Sequence, residues 1–231
     1  MDIMRIFLQT TNIGIRQALS RIYTIINIPL LTQIDKPIQG HFDMQCFVLP
    51  DKTIIVCPQV YDFYQKQLPD YTVICGNTIP EKRYPNDIAY NAALIGKNLF
   101  CKIENTDSIL LEQAKKRGIT PINVQQGYAK CSTIPIGEKA LITADRSIYN
   151  AAKTINMDVL LTTNSGVFLN GYHTGFIGGA SICTDDMIIF CGDLSTHCDF
   201  KNIKYFIAQH KKKLCFFRNL QLTDLGSPHI F

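Results

Sequence analysis

An apolar segment, a tight turn and a second apolar segment recur four times along the chain: MQCFVL-PDK-TIIVC (44–57), NAAL-IGKN-LFCK (91–102), STIPI-GEK-ALIT (132–143) and ASIC-TDD-MIIFC (180–191). Each turn carries the Pro, Gly, Asp or Asn chemistry that two-strand connections favour. The turns, taken at positions 51, 96, 137 and 185, lie 45, 41 and 48 residues apart. A period of that size marks an architecture of repeated units, none of which can bury its own apolar face alone.

The segments after the hairpins repeat as well. NTDSILLEQAKKRG (105–118) has capping residues at Asn105 to Asp107, apolar positions at helical spacing and a stop at Gly118. DRSIYNAAKTINM (145–157) begins with Asp145 as a cap, and HCDFKNIKYFIAQHKKK (197–213) places Asp199 before a helical pattern that ends in cations. VYDFYQKQL (60–68) predicts a shorter helix. Short apolar stretches follow them: YTVIC, ITPINV, DVLLTT and LCFFR. The unit is strand, turn, strand, helix, strand.

The two ends of the chain supply a fifth unit. IMRIFLQT (3–10) reads as a second strand, NIGIRQALSRI (12–22) as its helix capped by Asn12, and YTIINI (23–28) as the last strand. The missing first strand is offered by LGSPHIF (225–231) at the other end. The spacing therefore predicts one domain over residues 1–231, an α/β ring of five units with pseudo-fivefold symmetry, its fifth unit closed by the N- and C-termini. The competing architecture, an open sheet with parallel crossovers, also alternates strands and helices. Tight turns before every helix argue against it.

Composition narrows the function classes. The chain has 231 residues, 46% of them apolar and only 18% charged, with net charge +4. No basic block exceeds Lys211-Lys212-Lys213, so nothing promotes a nucleic-acid partner. No apolar run approaches the ~20 residues of a membrane span, and MDIMRIFLQTTN lacks a cleavable leader pattern. Nine cysteines without CxxC or zinc-like spacing suit free thiols in a reducing, cytoplasmic setting. Neither a metal nor another cofactor is expected.

GHFDMQ (40–45) places His41 two residues before Asp43 and four before Gln45. On a strand those side chains share a face, which would line the ring's centre. Equivalent strand starts contribute Asp87 and Asn91 from the second unit, Lys130 and Ser132 from the third, and His229 from the end. Such a centre suits a small polar or zwitterionic ligand, or else a polar plug that seals the axis. Phe176-Ile177-Gly178-Gly179-Ala180 supplies no functional group there, but its glycines allow close backbone approach or a bulge. His173, His197 and His210 read as surface residues.

Five strand–strand–helix–strand units resemble the pentein fold of the guanidine-group-modifying enzymes, a pentein-type α/β-propeller. QQGYAKCST (125–133), ITADRSIYNAA (142–152), GYHTGFIGGAS (171–181) and GDLSTHCDF (192–200) are similar to a group of uncharacterised bacterial proteins of that fold. His41-Phe42-Asp43 resembles the His-x-Asp pair of arginine and agmatine deiminases. The resemblance implies that His41 is a general acid/base and that Asp43 holds a guanidinium. Those enzymes also use a late Gly-Gly-x-His-Cys stretch, whose counterpart here is Leu225-Gly226-Ser227-Pro228-His229-Ile230. Ile230 stands where the nucleophilic cysteine would be, and it cannot attack carbon.

Cys131, at a first-strand start, is the candidate replacement. Aligning the turns puts Asp43 level with Lys130 and Met44 level with Cys131, which would aim Cys131 away from Asp43 unless a slip or bulge intervenes. Cys46 shares Met44's face and reads as core. Two functions follow. One is a C–N hydrolase or amidinotransferase acting on a guanidino or amino-acid-like small molecule, with His41, Asp43 and Cys131 catalytic and Asp87, Asn91, Lys130, Ser132 and His229 binding substrate. The other is a non-catalytic ring that binds a macromolecular partner, as a ribosomal anti-association factor of this fold does. Oligomeric state is not legible.

Overall fold

The computed structural model describes residues 4–231. It begins with β1 (Arg5–Leu8), α1 (Ile13–Ser20) and β2 (Thr24–Asn27). A single helical turn, α2 (Phe42–Gln45), leads into β3 (Cys46–Leu49), β4 (Thr53–Val56), α3 (Tyr61–Gln67) and β5 (Thr72–Cys75). The next unit is β6 (Ala93–Ile95), β7 (Asn98–Cys101), α4 (Ser108–Lys116) and β8 (Thr120–Asn123). It is followed by β9 (Thr133–Pro135), β10 (Ala140–Thr143), α5 (Arg146–Thr154) and β11 (Asp158–Leu161). Last come β12 (Ser181–Cys183), β13 (Met187–Phe190), α6 (Phe200–Gln209), β14 (Lys213–Phe216) and β15 (His229–Ile230).

Among the described residues these strands form five three-stranded sheets. In each, the middle strand pairs antiparallel with its hairpin partner and parallel with the strand after the helix. Middle strands such as TIIV of β4 and ALIT of β10 are buried at every position, which explains their unbroken apolar runs. The fifth sheet joins the ends as the spacing predicts: Ile6 opposes Ile230 and Phe7 opposes His229. Arg5 and Phe231 exchange backbone hydrogen bonds of 3.1 and 2.8 Å.

The helices cover the outside of the sheets with one recurring device. Ile15/Leu19, Leu110/Ala114, Ile148/Ala152 and Ile203/Ile207 are fully buried pairs four residues apart, so each lies on one helix face. Burying an aliphatic side chain of this size contributes about 1.5–3 kcal/mol. The caps are those the sequence offers at Asn12, Asp107 and Asp145. Two helices are shorter than their patterns suggest. Asn105 ends a 3-10 turn, and Asp107 caps α4 because its carboxylate accepts from Ile109 and Leu110 and also from Asn77 and Thr78. α6 stops at Gln209, since Lys211 turns left-handed at φ 58° and Lys213 already belongs to β14.

Because the last strand of each sheet runs antiparallel to the first, every inter-unit connection lies at the end where the first strands begin. The hairpin turns lie at the other end. First strands face one another around the axis: β9 touches β6 and β12, and β12 touches β15. Phe42 stacks on His229 at 5.3 Å, bridging the first and fifth units.

Candidate functional site

The first strands do not begin as extended chain. α2 occupies Phe42–Gln45, Asn91 N–H donates to Ile88, Ser132 N–H donates to Tyr128, and Ala180 N–H donates to Phe176. A helical turn rotates successive side chains by about 100°, so residues two apart no longer share a face. The strand reading of GHFDMQ is corrected accordingly. Gln45 turns away, donating to Pro29 O at 2.6 Å and accepting from Tyr64 Oη at 3.1 Å. His41 and Asp43 stay near the axis, and the same geometry swings Cys131 toward Asp43 rather than away from it.

His41, Asp43 and Cys131 meet there, with ligand-type atoms all within 4.8 Å of one another. Cys131 Sγ donates to Asp43 Oδ2 at 2.9 Å and accepts from Asn91 Nδ2 at 3.3 Å. Asn91 Oδ1 in turn accepts from the Lys130 N–H at 2.8 Å, which fixes the turn that carries Cys131. Three such side chains could share a metal ion, but here the thiol is committed to the carboxylate. His197, Cys198 and Asp199 also cluster. His197 is buried rather than exposed: its Nε2 pairs with Thr163 O at 3.2 Å and its Nδ1 accepts from Asp199 N–H at 3.0 Å, so both ring nitrogens are engaged. His210, also expected on the surface, is partly buried and pairs with Asp158 at 2.9 Å.

Asp224 completes the cluster, and the sequence reading missed it. Its oxygens accept from Gly226 N–H at 2.9 Å and Phe176 N–H at 2.8 Å, and Oδ1 lies 4.0 Å from His41 Nδ1. A signal was present: an acidic residue inside the apolar run LTDLG, two positions before a glycine. Gly226 is left-handed at φ 69°, and a Cβ there would lie 2.2 Å from His41 Cβ. The glycines of FIGGA serve close approach, as their sequence suggests. A Cβ on Gly179 would meet Asp224 Oδ1 at 2.0 Å, and one on Gly178 would meet Cys131 O at 2.5 Å.

Burial sets the charge states. It pushes the Cys131 thiol well above its ordinary value, and the charges of Asp43 and Asp224 add to the effect. Burial also raises Asp43, which His41 and the thiol hydrogen bond oppose, and it raises Asp224 to about 6 against its two backbone donors. His41 is lowered by burial, with Asp43 pulling the other way.

Two cavities flank the cluster. One, of about 170 Å³, opens at the end of the inter-unit connections and is lined by His41, Cys131, Asp224, Tyr128, Tyr172 and Phe176 among others. The other, of about 280 Å³, opens at the hairpin end and includes Asp43, Lys130, His229 and Pro50. The hydrogen-bonded Asp43–Cys131 pair is the partition between them. The expected binding residues are thereby split. Asn91 joins the cluster, while Lys130 and His229 belong to the hairpin-end cavity. Asp87 sits behind Tyr128, whose hydroxyl donates to it at 2.6 Å. Ser132 is buried with its hydroxyl unpartnered and lines neither cavity. Ile230, the position of the expected nucleophile, packs with the Ile6–Leu8 core instead.

A family model described as a family of unknown function (DUF6873) matches residues 9–228. The chain belongs to that family. None of the curated proteins matches it. Among solved structures, this DUF6873 chain is similar to DDAH from Pseudomonas aeruginosa, a cysteine-to-serine mutant complexed with citrulline. That likeness has TM-score 0.60 and 8% identity and covers 98% of each chain. It is also similar to an agmatine deiminase from C. jejuni, with TM-score 0.53 and 8% identity over 92% of this chain and 75% of the other. At that identity the likeness establishes the fold, which is the pentein fold.

Proposed function

We propose that this protein binds a small guanidinium or amidinium compound in the connection-end cavity and hydrolyses its C–N bond. One observation carries the reading: the buried carboxylate of Asp224 lines the cavity beside His41 and Cys131, with buried Asp43 directly behind the thiol, while no lysine or arginine lines that cavity. Such a site is short of positive charge, and a planar cation supplies it in a form that the Asp224 carboxylate recognises. Tyr128, Tyr172 and Phe176 give the cation an aromatic wall. The fold likeness to DDAH and to an agmatine deiminase supports the same class.

The chemistry begins with the bound cation, whose charge favours the thiolate. The Cys131 proton passes to His41, and Sγ bonds to the central guanidine carbon. The bond to the departing nitrogen breaks, that nitrogen takes the proton from His41, and ammonia or an amine leaves. Water then attacks the same carbon, gives a proton through His41, and the C–S bond breaks to restore the thiol. Guanidinium and water become a urea and an ammonium ion. Asp224 faces the cation through both steps, and Asp43, on the far side of the thiol, adds its charge without touching it.

A second reading is ligand binding without turnover. It is favoured by the thiol's engagement with Asp43, which holds it protonated in the ligand-free protein.

Agmatine, arginine and methylated arginines should be assayed for urea-type product with wild-type protein, His41→Ala and Cys131→Ala. Turnover abolished by both substitutions is the expected result, and turnover untouched by either removes the mechanism. Chloroacetamidine, a cation, and neutral chloroacetamide should be compared as labels of Cys131. Faster labelling by the cation is expected, and equal rates would refute cation recognition. Cation-selective labelling with no turnover of any substrate would leave the binding reading.

A further inference from the structure

The hairpin-end cavity takes no part in the chemistry above, yet it is the larger of the two. We propose that it is a second small-molecule site, shaped for a zwitterion with a compact apolar side chain, that is, a free branched or aromatic amino acid.

Charge selects the class. Among the described residues the Lys130 ammonium makes no ion pair within 4.0 Å, although it lines this cavity. Asp43 lines it too, and its Oδ1 has no hydrogen-bond partner while Oδ2 is occupied by the Cys131 thiol. The site thus offers one uncommitted cation and one uncommitted carboxylate oxygen. His229 adds no charge of its own: its ring lies parallel to Phe42 at 5.3 Å, edge-on to Phe231 at 4.7 Å. Burial and the neighbouring Lys130 keep it neutral at physiological pH. A ligand carboxylate on Lys130 and a ligand ammonium on Asp43 satisfy both groups at once. A simple anion or a simple amine satisfies one and leaves the other unpaired.

Shape selects the side chain. Between the charged groups and the hairpin mouth the walls are Phe47, Val48, Leu49, Leu94 and Pro135. A volume of about 280 Å³ corresponds to roughly nine water volumes, or a ligand of about nine heavy atoms. An apolar amino acid has this size and this distribution of polar and apolar surface.

The test is thermal unfolding and calorimetric titration of the full chain with leucine and phenylalanine. Two half-ligands, 4-methylpentanoate and 3-methylbutylamine, serve as comparisons. Lys130→Met removes the cation but keeps the stem, and Leu94→Trp fills the cavity. At about a hundred times Kd, an amino acid should raise the wild-type midpoint by roughly 5–11 °C. Each half-ligand should bind at least about tenfold more weakly, and both variants should lose the response. Three results would each overturn the proposal: no shift with either amino acid, a half-ligand binding as tightly as the amino acid, or a response that survives Lys130→Met. If Leu94→Trp fails to fold, Lys130→Met decides alone. Its side chain holds no ion pair whose loss would unfold the protein.

Discussion

Gly226→Ala separates two costs that are usually confounded. The residue is left-handed at φ 69°, and an added Cβ would lie 2.2 Å from His41 Cβ and 2.3 Å from its Cγ. Gly118 supplies the control: its φ is 66°, and a Cβ there meets nothing within 4 Å. Backbone strain alone should cost Gly118→Ala about 1–2 kcal/mol. Gly226→Ala carries the same strain plus the overlap with His41. That overlap adds about 1–3 kcal/mol, because both partners are held by backbone rather than by flexible side-chain ends. In a chain of this length each kcal/mol moves the midpoint by about 2–4 °C. Gly226→Ala should therefore melt roughly 2–12 °C below Gly118→Ala, measured side by side by circular dichroism. It should also slow labelling of Cys131 by chloroacetamidine, since His41 can yield only by leaving the cluster. A Gly226→Ala protein that melts no lower than Gly118→Ala would refute the close packing of His41 on this backbone.

The remaining predictions concern buried acids and the thiol. Asp107→Ala removes a carboxylate that accepts from four backbone N–H groups. It should cost about 2–4 kcal/mol in urea unfolding, more than Asp145→Ala at the cap of α5; equal losses would contradict this. Asp224, with a native pKa of about 6 against an ordinary value near 3.9, favours the fold fully below about pH 4. That contribution disappears as pH rises through 6. The stability of wild type relative to Asp224→Asn should accordingly fall by about 2 kcal/mol between pH 4 and 7, and a flat difference would count against the raised value. Cys131, held protonated by burial and two carboxylates, should react with iodoacetamide far more slowly at pH 8 than exposed Cys75 and Cys198. Mapping the adducts by mass spectrometry checks this, and comparable rates at the three sites would oppose it.

The repeat was legible because its signals are local. Turn residues recur at a nearly constant interval, and the helices keep apolar pairs four apart under identifiable caps. Even the union of the two chain ends follows from counting strands. The site was less legible because its geometry depends on a single hydrogen-bonded turn, helical at Phe42–Gln45, before four of the five first strands. That turn is too short to leave a periodicity, and the two-residue rule of strands fails on chain that is not extended. The rule grouped Gln45 with His41 and Asp43 and sent Cys131 the wrong way. Asp224 escaped for a related reason: its partners, Phe176, Gly226 and His41, come from three distant segments. His229 and Lys130 were recognised as facing inward, but no sequence pattern shows on which side of a partition an inward residue lies.

The pairing of Ile6 with Ile230 joins residues 224 positions apart in the sequence. During synthesis one edge of the strand Arg5–Leu8 has no hydrogen-bonding partner until residues 229–230 have been made. Asp224 and Gly226, which pack around His41, emerge just before that partner does. The nascent molecule therefore carries an open strand edge and an unfinished centre at the same time, and a single late event closes both. Ribosome-bound chains stalled before residue 224 should consequently be the species most prone to mispair with their neighbours.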